Sequence, residues 1–102
     1  MNQGFQNKTV LITGASSGIG KALTESMLQA GAKVAICARN AANLSDVKQA
    51  LKSDKLLTIQ ADVSIEADCK RFVEEAMKTF GHIDILINNA GISMRALLRI
   101  WT

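Results

Sequence analysis

The sequence predicts an α/β protein in which a parallel β-sheet is covered by helices on both faces. Short apolar runs rich in β-branched residues alternate with amphipathic helical segments, and glycines stand where strands and helices meet. Strand-helix-strand units of this kind form right-handed crossovers and therefore a parallel sheet. With about four strands, an open doubly wound sheet of strand order 3-2-1-4 is expected.

Four runs are predicted as strands, at residues 9–13 (TVLIT), 33–37 (KVAIC), 56–60 (LLTIQ) and 83–87 (IDILI). They are short and mainly apolar, as expected of strands that are covered on both faces. No proline, low-complexity tract or linker interrupts the alternation. We therefore expect one domain over residues 1–102.

Three helical stripes connect these strands. Apolar residues recur at steps of three and four, which places them on one face of each helix. Gly31 is suited to end the first helix and Gly81 the third, and Ser64 is suited to be the N-cap of the third. The stripes consist of Ile19, Ala22, Leu23, Met27 and Ala30, of Leu44, Val47 and Leu51, and of Phe72, Val73, Ala76, Met77 and Phe80.

Composition excludes several functional classes. The 12 basic and 9 acidic residues give a formal charge of +3, but they are scattered, and aromatic residues make up only 4% of the chain. A nucleic-acid binder would need a basic stripe with stacking aromatics, so no nucleic-acid partner is expected. No apolar run approaches the roughly 20 residues of a membrane span. Residues 1–8 lack the apolar core of a signal peptide, which favours a cytoplasmic protein.

Two cysteines and one histidine are the remaining candidates for metal or redox chemistry. Cys37 and Cys69 lack metal-ligand spacing and are predicted to be buried or half-buried thiols rather than a disulfide. His82 has no partner at catalytic or metal spacing, so it is interpreted as a surface histidine after the end of a helix. No metal site is predicted.

A glycine-rich turn, residues 13–20 (TGASSGIG), lies between the first strand and the first helix. Backbone amides at that position can hold a pyrophosphate, the glycines permit a tight turn and close approach, and serine hydroxyls add donors. The alternative is a loop of small residues that only turns the chain. The predicted contacts are Gly14, Ser16, Ser17, Gly18, Ile19 and Gly20.

The turn has the form Thr-Gly-x-x-x-Gly-x-Gly and thereby resembles the short-chain dehydrogenase/reductase family. Two further motifs fall in register, Asp62-Val63 after the third strand and Asn88-Asn89-Ala90-Gly91 after the fourth, so the resemblance covers most of residues 8–93. It implies a Rossmann-type fold and hydride transfer between a nicotinamide and a carbonyl or alcohol carbon.

The same resemblance assigns roles to these residues. Asp62 would bind the adenine amino group and the backbone of Val63 would meet the ring, although Asp62 is equally suited to be a turn residue that bonds its own backbone. Asn89, Ala90 and Gly91 would line the nicotinamide ribose. Asn88 would stabilise the central sheet.

The end of the second strand indicates which dinucleotide is bound. An NAD site needs an acidic residue there to accept the ribose hydroxyls, whereas this chain has Arg39 followed by Asn40. A guanidinium can pair with the 2′-phosphate of NADP, so we predict NADP(H) in preference to NAD(H). The alternative for Arg39 is a solvated arginine at a strand end.

The catalytic tyrosine of the family has no counterpart, because the sequence contains no tyrosine. Members of the family use a Tyr-x-x-x-Lys pair and a serine, are more than twice as long, and choose their substrates and pair with one another through later segments. We therefore interpret the chain as the cofactor-binding half of such an enzyme and assign no catalytic residue, substrate or oligomer. The alternatives are a non-catalytic dinucleotide-binding module, a truncated inactive product, and an α/β domain without a nucleotide role. Residues 92–102 are predicted as the start of the next helix or an aberrant tail.

Overall fold

A computed structural model describes residues 5–14 and 18–88 of the chain. Strands and helices alternate throughout these residues, as the sequence predicts. They are β1 (Thr9–Thr13), α1 (Gly18–Gln29), β2 (Lys33–Ala38), α2 (Ala41–Leu51), β3 (Leu56–Gln60), α3 (Glu66–Phe80) and β4 (Ile85–Asn88). The predicted helix or tail at 92–102 lies outside the described residues.

The four strands form one parallel sheet in the order β3-β2-β1-β4, which confirms the predicted order. β1 pairs with β2 from Thr9 opposite Lys33 to Thr13 opposite Cys37. On its other side, β1 ends with Thr13 opposite Asn88 of β4. Because all strands run the same way, the loops that follow them gather at one edge, which we call the carboxyl edge.

Two apolar clusters cover the two faces of the sheet. The helices α1 and α2 pack on one face and α3 on the other, so β1 and β2 are buried on both sides. This burial explains why their sequences are apolar without alternation. The first cluster includes Val10, Ile12, Val34, Ile36, Leu44 and Val47, and the second includes Leu11, Ala35, Cys37, Ile59, Phe72, Val73 and Ala76.

The buried face of α1 differs from the predicted stripe at its start. Ile19 is 69% exposed and Ala22 is also exposed, whereas Gly20 and Thr24 are buried. Glycine has no side chain, so it lets the helix approach the sheet closely. The hydroxyl of Thr24 is satisfied because it donates to the carbonyl oxygen of Gly20 at 2.7 Å.

Gly31 ends α1 as predicted. Its φ is 91°, its N–H donates to the carbonyl of Leu28, and the N–H of Ala32 donates to the carbonyl of Met27. These two bonds form a Schellman motif, which requires a left-handed residue at this position.

The start of α3 corrects one prediction. Ser64 is not the N-cap; the helix begins at Glu66 after Ile65, whose side chain makes no capping bond. Ser64 instead bonds the side chain of Asp62, which accepts from both its N–H and its hydroxyl. At the other end, Gly81 (φ 86°) closes the helix as predicted, but Met77 is 42% exposed rather than part of the buried face.

β4 begins at Ile85, two residues later than predicted. The carboxylate of Asp84 accepts the N–H of Thr9 at 2.8 Å, so a side chain takes a bond that a strand would give to a main-chain carbonyl. Among the helices that the structure describes, none combines the length and the hydropathy needed to cross a membrane.

Candidate functional site

The carboxyl edge is tied together by a bond between its central and outer strands. The hydroxyl of Thr13 donates to Oδ1 of Asn88 at 2.9 Å, which links the end of β1 to the end of β4. Asn88 thus makes a contact that stabilises the central sheet. The predicted nicotinamide residues Asn89, Ala90 and Gly91 lie outside the described residues.

The described glycines of the turn after β1 differ in whether the structure explains why glycine stands at that position. Gly14 has a φ of 68°, a conformation that favours glycine, and its N–H donates to the carbonyl of Cys37 at 3.2 Å. Gly20 is buried on the packed face of α1. Gly18 has no positive φ, and within the described residues a Cβ built on it meets nothing within 4 Å. Ser16 and Ser17 lie outside the described residues.

Arg39 follows β2 and is exposed. Within residues 5–14 and 18–88, its guanidinium forms no ion pair, whereas that of Arg71 lies 3.7 Å from Asp68 and 4.0 Å from Glu75. The side chain of Gln60 donates to the backbone oxygen of Arg39 at 3.0 Å. The backbone of Arg39 is therefore held by a hydrogen bond, while its guanidinium is in no ion pair with the described residues.

Asn40 is the N-cap of α2, a role that sequence reasoning missed. Its Oδ1 accepts from the N–H of Ala42 at 2.8 Å and from that of Asn43 at 3.3 Å. These bonds satisfy two of the unpaired amides at the start of the helix. They also fix the orientation of the Asn40 amide, whose nitrogen is a donor beside the positive end of the helix dipole.

Asp62 forms the turn that its sequence position allows. Its Oδ1 accepts from the hydroxyl of Ser64 at 2.6 Å and from the N–H of Ser64 at 3.0 Å. These bonds from Ser64, and to a smaller extent the positive charge of Arg39, hold the pKa of Asp62 below its ordinary value, so the carboxylate is ionised at neutral pH. Both bonds end on Oδ1, and the turn does not require Oδ2.

Val63 lies beside Asp62 and is partly buried. Its carbonyl accepts a hydrogen bond from the thiol of Cys69 at 3.0 Å. Burial raises the pKa of Cys69 and raises that of Cys37 to about 12, so both groups are protonated thiols at neutral pH. Both cysteines are free and buried, which agrees with the prediction of buried or half-buried thiols.

Two open depressions bring the residues after β2 and β3 together. One, of about 530 Å³, is lined by Arg39, Asn40, Ala41 and Gln60. The other, of about 370 Å³, shares Arg39 and Gln60 and adds Ala61, Asp62, Asp68 and Arg71. The structure thus places the predicted residues Arg39, Asn40 and Asp62 around one continuous surface.

Sequence reasoning missed Gln60, Asp68 and Arg71 in this surface. Gln60 ends β3, and the other two lie on the first two turns of α3. An acidic residue in the first turn of a helix is also explained by the helix dipole. Nothing in the spacing showed that these side chains turn back toward the loop after β3.

Comparison with known proteins gives the family. The family model of short chain dehydrogenase matches residues 8–100. The 11-beta-hydroxysteroid dehydrogenase of Pinus massoniana is 40% identical over 91 residues, which are 86% of this chain and 26% of that protein. The curated relatives compared in this way are covered over only 26–35% of their length.

Two solved structures are similar in fold. The glucose/ribitol dehydrogenase of Brucella melitensis has a TM-score of 0.91 at 28% identity, over 99% of this chain and 53% of that one. The 3-ketoacyl-(acyl-carrier-protein) reductase of the same organism, complexed with NADH, has a TM-score of 0.76 at 34% identity, over 94% and 43% of the two chains. The chain belongs to the short-chain dehydrogenase/reductase family of nicotinamide-dependent oxidoreductases.

Proposed function

We propose that the chain is the cofactor-binding half of an oxidoreductase that transfers hydride between a nicotinamide and a carbonyl or alcohol substrate, with NADP(H) preferred over NAD(H). The observation that carries the choice of cofactor is the guanidinium of Arg39, which forms no ion pair with the described residues. It stands at the end of β2, where an NAD site carries a carboxylate for the ribose hydroxyls.

The pyrophosphate would lie at the N-terminus of α1. Neither backbone conformation nor packing against the described residues explains a glycine at position 18. A phosphate held by helix amides supplies the reason, because it needs the backbone to come close. Gly14, Gly18, Ile19 and Gly20 would form this cradle with the hydroxyls of Ser16 and Ser17.

The 2′-phosphate would lie between Arg39 and Asn40. The capping bonds take Oδ1 of Asn40, so the amide nitrogen is the group that Asn40 offers to an anion. The N-terminus of α2 adds a favourable dipole, and the guanidinium can bond two phosphate oxygens at once. NADH lacks this phosphate and would leave Arg39 without a partner.

The adenine would lie against Asp62 and Val63. The ionised carboxylate of Asp62 can accept from the adenine amino group through Oδ2, since the turn with Ser64 uses Oδ1. The carbonyl of Val63 already accepts from Cys69, which makes the N–H of Val63 the group that the backbone offers to the ring. Asn89, Ala90 and Gly91 would hold the ribose that carries the nicotinamide, and the nicotinamide ring is the group that would supply or accept the hydride.

Calorimetric titration of the chain with NADPH and NADH tests the proposal. We expect saturable binding of NADPH that is about tenfold or more tighter than binding of NADH, because a charge-assisted hydrogen bond contributes about 1.5–3 kcal/mol. Equal affinities would overturn the choice of NADP(H). No saturable binding by a folded sample would overturn the dinucleotide site itself.

A second candidate is a non-catalytic dinucleotide-binding module. It is favoured by the absence of tyrosine from the sequence, since the resemblance makes a tyrosine the proton donor or acceptor. The coding sequence that follows Thr102 distinguishes the two. A Tyr-x-x-x-Lys segment there would establish the half of an enzyme, and its absence would favour the module.

A further inference from the structure

Side chains at the beginning of α3 form hydrogen bonds with the backbone of the loop after β3. The N–H of Asp62 donates to Oδ2 of Asp68 at 2.8 Å, and the thiol of Cys69 donates to the carbonyl of Val63 at 3.0 Å. Arg71 donates to the carbonyl of Gln60 at 2.7 Å. Three side chains within one turn of helix therefore bond the backbone of three residues that end β3 and form the loop.

We propose that Asp68 and Cys69 are positioning residues that set the selectivity of the site for adenine by fixing the backbone of Asp62 and Val63. The proposal rests on the proposed function, because it concerns the same dinucleotide site. Neither side chain needs to touch the cofactor. Each would act through the residue that does.

The carboxylate of Asp62 needs such support because the residue is only partly buried and its own hydrogen bonds are to neighbouring loop residues. Its bonds to Ser64 orient the side chain relative to the loop, and a bond from the N–H of Ile65 to the carbonyl of Asp62 at 2.9 Å shapes that loop. These contacts join residues of the loop to one another. The bonds to Asp68 and Cys69 join the loop to α3, and so decide where the carboxylate stands relative to the sheet.

The two positioning groups are suited to this task. Asp68 is 29% exposed, and the guanidinium of Arg71 at 3.7 Å opposes its movement. Cys69 is fully buried. Its burial keeps it a thiol, and only the thiol can donate to Val63, because a thiolate has no proton to give.

The test compares NADPH with its hypoxanthine analogue, in which a carbonyl oxygen replaces the adenine amino group. The wild-type chain should bind NADPH about tenfold or more tightly than the analogue, since the analogue removes a donor and faces a carboxylate with an acceptor. Asp68→Ala should reduce this ratio to about threefold or less, whereas Asp68→Asn keeps an acceptor and should retain most of it. The matched control is Asp46→Ala, an exposed aspartate on α2, which should leave the ratio unchanged.

Substitutions of Cys69 give a second test of the proposal, which does not depend on whether Asp68→Ala folds. Cys69→Ala removes the donor and should lower the ratio about twofold or more, while Cys69→Ser keeps a hydroxyl donor and should preserve the ratio. An unchanged ratio in folded Asp68→Ala, or in Cys69→Ala if the former does not fold, would overturn the proposal while NADPH binding still stands. If the wild-type chain binds neither dinucleotide, the proposed function fails as well.

Discussion

The two edges of the sheet differ in whether their charged side chains have partners within the chain. At the opposite edge, where the strands begin and which we call the amino edge, Oδ2 of Asp84 accepts from the N–H of Thr9 at 2.8 Å. The same oxygen lies 3.0 Å from Nε2 of His82. The same imidazole nitrogen lies 3.3 Å from the carbonyl of Asn7. At the carboxyl edge, Arg39 has no such partner among the described residues.

This difference distinguishes polar groups that stabilise the fold by bonding one another from polar groups that are available to bind a ligand. Polar groups that satisfy one another stabilise the fold, because each would otherwise lose its hydrogen bonds on burial. A charged side chain that is in no ion pair with its neighbours is suited to a ligand of opposite charge. Substitution of the charge without an ion pair at the carboxyl edge should therefore change binding, and substitution of the paired groups at the amino edge should change stability.

Arg39→Ala should have the largest effect on binding. We expect the Kd of NADPH to rise about 10- to 100-fold, from the loss of about 1.5–3 kcal/mol of charge-assisted bonding, while the Kd of NADH changes less than about twofold. Calorimetry measures both. Arg39→Lys keeps the charge without the two-pronged geometry and should fall between wild type and alanine. Equal weakening of both dinucleotides would contradict the assignment of the 2′-phosphate.

Asp84→Ala should have the largest effect on stability. It removes the acceptor of the Thr9 N–H, a residue with no exposed surface, and leaving such a group unsatisfied costs about 1–3 kcal/mol. Urea denaturation gives the free energy of unfolding, and Asp46→Ala, an exposed aspartate on α2, is the control, with a change within about 0.5 kcal/mol. If Asp84→Ala weakened NADPH binding without loss of stability, the distinction between the two edges would be wrong.

The fold could be predicted from the sequence because its signals are local and repeated. The limits of β1 and β3, the glycine ends of α1 and α3, and the strand order follow from hydrophobic period, glycine position and crossover handedness. The start of β4 and the N-cap of α3 were predicted wrongly because side chains there form hydrogen bonds that the sequence pattern does not show. Asp84 delays β4, and Ser64 bonds Asp62 instead of capping α3.

The candidate site was predictable only as separate residues. Motifs placed Arg39, Asn40 and Asp62 after their strands, but not the capping bonds of Asn40. His82 is half-exposed, as expected of a surface histidine, yet its pairing with Asp84 was missed. Such contacts depend on how side chains turn in three dimensions, and sequence spacing does not fix those directions.

Asn40 has both a structural role and a proposed binding role, because it caps α2 and would contact the 2′-phosphate. Asn40→Ala should lower the free energy of unfolding by about 1 kcal/mol through loss of the cap. Asn40→Asp keeps a capping acceptor and should unfold within about 0.5 kcal/mol of wild type. Its carboxylate would repel the phosphate, so the Kd of NADPH should rise about fivefold or more while that of NADH does not. Unchanged NADPH binding by Asn40→Asp would leave Asn40 as a cap alone.

The smallest expected effect is the contribution of Asp62 to the loss of folding stability at acid pH. Its pKa is lower in the folded chain than its ordinary value of 3.8, chiefly because the hydroxyl and the N–H of Ser64 bond the carboxylate. A lowered folded pKa means that the stabilisation is present above the ordinary value and is lost as pH falls through the folded value. Wild type should therefore lose slightly more stability than Asp62→Asn between neutral pH and pH values below 3.8. Asp62 is partly exposed at the edge proposed to bind the dinucleotide, so bound NADPH should enlarge this difference. The same difference with and without NADPH would count against adenine binding by its carboxylate.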